Sequence, residues 1–175
     1  DDKQVLHSFS NRSYEADVFI TIIIGVGIGV VTADCVPLVI YDSVKQITAL
    51  IHSGWKGAFA GVVPSAINVL QERYRSRISD CYFFFGPSAR SCCYEVGNEL
   101  KVSFLQKFAY AQDAFYSRCE KEYFDAPFFL QQQLESYNVR PAQIDLSMSI
   151  CTICSNDYCS YRREAQSFLR NLTVV

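Results

Sequence analysis

Two segments of this chain carry the residue types from which a reactive centre is made: Thr32-Ala33-Asp34-Cys35-Val36-Pro37 and, one strand later, His52-Ser53-Gly54-Trp55-Lys56-Gly57. Each places a sulfur or an imidazole at the end of an apolar run, beside residues that bend or stiffen the backbone. His7 is the only other histidine in the chain. One thiolate and two imidazoles, from Cys35, His52 and His7, make a ligand set that suits zinc, and three protein ligands leave a fourth tetrahedral position for water or substrate. The competing reading makes Cys35 a thiolate nucleophile activated by His52, with no metal in the chemistry. Taken alone, a histidine at a strand end is more often a hydrogen-bonded core or surface residue; the cysteine lying between two histidines tips the balance to a metal site.

The elements that must position these residues are two strands and a turn. Val36 to Tyr41 and Gln46 to His52 are apolar, β-branched runs separated by the turn residues Asp42-Ser43. A hairpin there sets the Cys35 end of one strand beside the His52 end of the other, because both ends lie away from the turn. Asp17 to Thr21 and Ile28 to Thr32 read as two further buried strands around a glycine turn at 25–27. Gly61 to Arg75 repeats apolar residues at helical spacing, with Pro64 in the first turn. Tyr82 to Phe85 is a strand stopped by Gly86-Pro87. Helices follow over Gly97 to Phe108 and Ala126 to Tyr137. Ile144 to Ile150 reads as a strand, 151–158 as a loop, and Ser167 to Val175 as a last strand or tail. The expected architecture is α/β in the α+β sense: a single compact domain over 1–175, a mixed β-sheet core flanked by helices.

Composition bounds the function. Half of the 175 residues are hydrophobic, enough for a sizeable core. The 16 basic and 18 acidic residues nearly cancel, leaving no electrostatic footprint for nucleic acid or an anionic membrane. The longest apolar run, Val18 to Val31, is broken by glycines and shorter than a bilayer span of about 20 residues. Eight cysteines in an apolar chain without regular spacing, two of them adjacent at Cys92-Cys93, point to a reducing cytoplasm rather than a disulfide framework.

Two more stretches hold chemistry-bearing residues. The segment 86–97, with Cys92, Cys93 and Glu95, reads first as a strand-to-helix loop. Cys151-Thr152 precedes Ser160-Tyr161-Arg162-Arg163, whose forked guanidinium donors suit a phosphate, although an exposed charge pair is the commoner explanation. Cys151, Cys154 and Cys159 lack the paired C-x-x-C knuckles of structural zinc modules, so no second metal site is expected there.

Four ordered motifs, Thr-Ala-Asp-Cys-Val-Pro at 32–37, His-Ser-Gly-Trp-Lys-Gly at 52–57, Gly-Pro-Ser at 86–88 with Tyr-Glu-Val-Gly at 94–97, and Cys-Thr at 151–152 with Ser-Tyr-Arg-Arg at 160–163, together resemble the YfiH family, also called the laccase-domain or polyphenol oxidase family. The resemblance spans essentially the whole chain. It implies a YfiH-like fold, a cytoplasmic protein, and a metal centre of two histidines and one cysteine that maps to His7, Cys35 and His52. It implies purine nucleoside phosphorylase activity with adenosine deamination and methylthioadenosine cleavage. An older description as copper-dependent laccases makes copper the alternative metal. The chain departs from the family pattern in three places: Leu6 is inserted before His7, Lys56 stands for an arginine, and the N-terminal part is shorter, as though a leading segment and a loop were missing.

That chemistry assigns roles. Deamination needs hydroxide at neutral pH, which a metal supplies by lowering the pKa of bound water to about 7. Asp34 is the carboxylate nearest the metal in sequence, with Glu95 the weaker acid-base candidate. Phosphorolysis needs cations for phosphate, for which Lys56, Arg162 and Arg163 are available, and Trp55 and Tyr161 offer rings to stack on a purine. The expected partners are therefore purine nucleosides and phosphate. Several copper centres would need more than two histidines, which argues against a multicopper oxidase. A non-enzymatic interaction module that has kept the fold is the remaining alternative.

Overall fold

The apolar runs flanking Asp42-Ser43 fold back on each other as an antiparallel hairpin in the computed structural model, which describes residues 16–165 and 169–175. The strands, in chain order, are β1 (Val18–Thr21), β2 (Gly29–Thr32), β3 (Val36–Asp42), β4 (Ile47–Ser53), β5 (Cys81–Phe85), β6 (Glu95–Val96), β7 (Phe115–Arg118), β8 (Lys121–Phe124), β9 (Ile144–Asp145) and β10 (Asn171–Val174). The helices are α1 (Trp55–Ala60), α2 (Val62–Tyr74), α3 (Asn98–Lys107) and α4 (Ala126–Ser136). A five-stranded mixed sheet in the order β1-β4-β3-β5-β9 forms the centre, antiparallel except for the β5–β9 pair. Two smaller sheets, β10-β2 and β6-β8-β7, stand beside it.

The hairpin turn is closed by the Asp42 carboxylate, whose Oδ1 accepts from the backbone amides of Val44 and Lys45 at 3.0 and 2.8 Å. β3 and β4 are buried along most of their length, as central strands are. β5 alternates: Cys81, Phe83 and Phe85 are buried while Tyr82 and Phe84 face solvent. Pro37 sits inside a central strand without a donor to give. Its carbonyl accepts from Gly86 just past the end of β5, where no partner strand needs its missing N–H. A Cβ on Gly86 would meet the Pro37 ring at 2.7 Å, so only glycine fits this crossing.

α2 buries Val63, Ala66, Ile67 and Leu70, the i, i+3, i+4, i+7 stripe expected of it, against the sheet. Below lies an aromatic core: Phe104 of α3 meets Phe129 of α4 edge to face at 4.9 Å, and Phe115 stacks on Phe124 across the β7–β8 hairpin at 4.7 Å. Such pairs add about 0.5–1.5 kcal/mol each beyond their buried area. Asp125 caps α4, accepting from the amide of Phe128 at 3.1 Å, with Pro127 in the first turn.

Several expectations need correction. The stretch 144–150 alternates perfectly but gives only the two-residue β9, because Asp145 Oδ1 accepts from the Ser147 amide at 2.8 Å and turns the chain. Leu146, Met148 and Ile150 are consequently exposed. β1 and β2 are only half-buried: β2 alternates, and Val31 faces outward on the two-stranded sheet. α1 precedes the expected helix and is separated from α2 by Gly61 at φ +89°. The β7–β8 hairpin is an unexpected element, turned by Cys119 and Glu120, both at positive φ. The last strand is confined to 171–174. His7 lies outside the described residues, as does Ser167. No described helix is long and apolar enough to cross a membrane.

Candidate functional site

The β3–β4 register pairs Val36 with Ser53 and Pro37 with His52, which brings Cys35 and His52 together at the open end of the hairpin. Gly54 makes room for the sulfur: a Cβ there would lie 3.0 Å from Cys35 Sγ. The His52 ring is fixed from behind. Its Nδ1 lies 2.8 Å from Asp17 Oδ1, while the His52 amide donates to the Asp17 carbonyl at 2.8 Å. Asp17 immediately precedes β1, which pairs with β4, so the strand ladder delivers the carboxylate to the ring. A carboxylate on Nδ1 leaves Nε2 for a metal or a proton. The hydrogen bond to Cys35, opposed by burial and reinforced by Asp17, raises the His52 pKa to about 9. The His52 side chain keeps 34% of its surface accessible.

Asp34, just before Cys35, is a knot between three segments. Its φ of +82° is strained for a residue with a side chain. Its Oδ1 accepts from Thr152 Oγ1 and its Oδ2 from the Arg162 amide, both at 2.7 Å, while its carbonyl accepts from Ala89 at 2.9 Å. The 86–94 and 151–163 loops are thereby tied to the mouth of β3. Both carboxylate oxygens are engaged by donors, which the proton-shuttle expectation for Asp34 did not foresee.

The other candidates divide by what holds them. Trp55 opens α1 directly after Gly54, half-exposed, with Lys56 Nζ 5.6 Å from its ring centroid. Arg162 lies with its guanidinium 5.2 Å from the Tyr94 ring centroid, and Tyr161 is exposed. Burial pushes the Tyr94 phenol up, with the Arg162 charge opposing it. Arg163 departs from its expected role as a phosphate ligand: its guanidinium donates to the carbonyls of Thr152, Ile153, Ser155 and Tyr158 and pairs with Glu164, so it shapes the loop instead. Glu95, on β6, is paired with Lys121 at 2.8 Å.

Sequence reasoning missed Asp17 and a second sulfur cluster. The Sγ atoms of Cys92, Cys93, Cys151 and Cys154 all lie within 4.8 Å of one another, a grouping able to hold a metal ion. No second sulfur site was expected from Cys151, Cys154 and Cys159, and Cys159 stands outside this grouping: its amide donates to Asn171 Oδ1 at 2.8 Å. All eight cysteines are free. Burial pushes the Cys92 and Cys93 thiols up, Cys93 to about 11. At Cys151 burial also acts upward, but the backbone amides of Cys154 and Arg90 and the Cys92 thiol outweigh it and favour the thiolate. The signal for this cluster was the C-x-x-C of 151–154 together with the adjacent pair at 92–93.

The family model described as multi-copper polyphenol oxidoreductase laccase matches residues 2–175. A purine nucleoside phosphorylase of Clostridium acetobutylicum is 35% identical over 163 residues, covering 92% of this chain and 66% of the relative. That of Borreliella burgdorferi is 36% identical over 158 residues, covering 88% and 67%. An adenosine deaminase from an unknown prokaryotic organism is 35% identical over 88 residues, covering 50% of this chain and 33% of that protein. Among solved structures, YfiH of Bacillus licheniformis aligns with a TM-score of 0.83 at 27% identity, over 90% of this chain and 60% of that one. The chain spans about two thirds of the length of the phosphorylases it matches.

Proposed function

Since the chain belongs to the multi-copper polyphenol oxidoreductase laccase family, in which YfiH is a structural neighbour, we propose that it is a zinc-dependent enzyme acting on purine nucleosides. The activities proposed are phosphorolysis of the glycosidic bond, including that of methylthioadenosine, and deamination of adenosine. The observation that carries this reading is the Cys35–His52 pair at the mouth of the β3–β4 hairpin, with Asp17 on Nδ1 and about a third of the His52 side chain accessible.

A sulfur and an imidazole oriented by a carboxylate are a fitting donor set for zinc, with His7 assigned as the third ligand. When bound, zinc supplies Lewis acidity at this place. Lys56 and Arg162 are assigned to phosphate, since both reach solvent beside residues that flank the pair. Trp55 and Tyr161 are assigned to the faces of the purine. Asp34 is assigned to positioning, because the donors it holds carry Thr152 and Arg162 to the site. Glu95 keeps a proposed acid-base role only if its surface pair with Lys121 opens. The imidazole–thiol contact also supports a thiol-enzyme reading, in which Cys35 attacks the substrate.

Assay of the purified chain against adenosine, inosine, guanosine and methylthioadenosine, with and without phosphate, tests the proposal. Free base released only with phosphate, and inosine formed from adenosine in either condition, are the expected results. Arg162→Ala should slow the phosphate-dependent reaction about 10- to 100-fold more than deamination, the worth of a lost charge-assisted contact. Oxidation of phenols with several coppers per chain and no nucleoside turnover would overturn it. A covalent adduct on Cys35 during turnover would favour the thiol enzyme.

A further inference from the structure

We propose that Cys92, Cys93, Cys151 and Cys154 form a second metal site, a closed zinc tetrathiolate that clips together the two loops holding Asp34. It shares no residue with the Cys35–His52 pair and does not depend on the nucleoside reading.

The geometry is that of ligands. Cys92 Sγ lies 3.8 Å from Cys154 Sγ, and no pair among the four exceeds 4.8 Å. Zinc–sulfur bonds of about 2.3 Å in a tetrahedron set the sulfurs about 3.8 Å apart. A disulfide would need about 2.05 Å, and adjacent cysteines such as Cys92 and Cys93 bridge each other only with strain. Four sulfurs leave no open position, so the site is structural. Tetrahedral S4 coordination selects zinc or iron among common metals, and a site meant for electron transfer has no partner centre among the described residues.

The surroundings explain why the four converge. Ser88 and Cys151 form a parallel bridge, with Ser88 donating to the Ile150 carbonyl at 3.0 Å and Thr152 to the Ser88 carbonyl at 3.1 Å. Arg90 then reaches across to the Ser149 carbonyl at 2.8 Å and pairs with buried Asp125 at 3.0 Å. Ser91 Oγ donates to the same Asp125, and Arg118 donates to the Ser91 carbonyl, which turns the Cys92-Cys93 pair toward Cys151 and Cys154. These hydrogen bonds align the loops before any ion arrives. Cys151 is fully flanked by this ladder and buried, whereas Cys92 and Cys154 reach the surface, so an ion enters from solvent and is closed in by the last two ligands. The ligand Cys151 adjoins Thr152, the donor to Asp34, and Cys93 adjoins Tyr94, the ring under Arg162. Holding the four sulfurs on one ion therefore holds the Asp34 knot.

The test is zinc stoichiometry by elemental analysis, with cobalt(II) as the spectroscopic probe, on the full chain. Cys154→Ser should lose one zinc per chain relative to the parent, and Cys92→Ser/Cys154→Ser should lose the same one. Cys35→Ala, which removes a ligand of the other candidate site, should leave the tetrathiolate's sulfur-to-cobalt charge-transfer absorption in place. Cys154→His should restore the lost zinc, which separates a ligand role from a packing one and covers the case in which the serine variants fold poorly. Parental zinc content in Cys154→Ser would overturn the site. So would disulfides among these four cysteines in protein purified without reductant, or stoichiometric iron in their place.

Discussion

The two sulfur-bearing regions are assembled by opposite means. Cys35 and His52 are brought together by an antiparallel ladder: β1, β3 and β4 are hydrogen-bonded along their length, and Asp17, Cys35 and His52 fall into place as residues at matched ends of those strands. The four-cysteine cluster sits on loops whose only regular pairing among the described residues is the Ser88–Cys151 bridge. A pair on a rigid sheet keeps its approach with or without an ion and has ligand positions to spare, which suits turnover. A cluster of four sulfurs on loops would leave an ion no open position, which suits architecture.

The comparison breaks most severely if the sheet-borne pair proves dispensable. On the proposed assignment of Cys35, His52 and His7 as ligands, Cys35→Ala should abolish nucleoside turnover and metal binding at His52 together, while far-ultraviolet circular dichroism stays close to parental. Parallel measurement of bound zinc and adenosine deamination checks this; deamination at the parental rate would place the activity elsewhere.

A smaller effect should separate the regions by stability. Asp125 is buried, pairs with Arg90, accepts from Ser91 and caps α4. Asp125→Ala leaves the Arg90 charge without its partner and should cost about 3–5 kcal/mol in urea unfolding. The loss should be accompanied by hydrogen exchange in 86–94 and 149–163 and spare the β3–β4 amides. Uniform loss of protection would show that the loops and the hairpin are one cooperative unit.

The smallest effect sharpens the comparison within the sheet-borne pair. Asp17→Asn keeps the shape beside His52 Nδ1 and removes the charge, so zinc affinity there should fall roughly 10- to 100-fold, with the four-cysteine cluster unchanged. Competition with a colorimetric chelator measures both. An unaltered affinity would mean that Asp17 only tethers β1.

Much of this was legible beforehand where local chemistry and tertiary packing agree. The β3–β4 hairpin follows from turn residues between two β-branched runs, and α2 from its apolar period; family membership follows from four motifs in order. Legibility failed where short-range pattern and context conflict. The alternation of 144–150 is that of a strand, and a single Asx turn at Asp145 cancels it. The Cys119-Glu120 turn takes two left-handed residues without the Asn-Gly that usually advertises them. α1 is six residues long with a central glycine, too short for periodicity to register. At the site, His52 and Cys35 were legible because one hairpin relates them. Asp17 was not, because its role depends on β1 pairing with β4. The four-cysteine cluster joins positions 62 apart, a distance that no spacing rule spans.

The Asp34 knot also sets an order of events during folding. Thr152 and Arg162 reach Asp34 across 118 and 128 positions, whereas the hairpin and the helices close over short spans. Long closures lose more chain entropy and are rewarded late. On a ribosome, the strands carrying Cys35 and His52 emerge and can pair well before residue 152 exists. The nascent chain therefore passes through an interval in which a thiol and an imidazole are already adjacent while the two donors that fix the neighbouring Asp34 carboxylate have yet to be made.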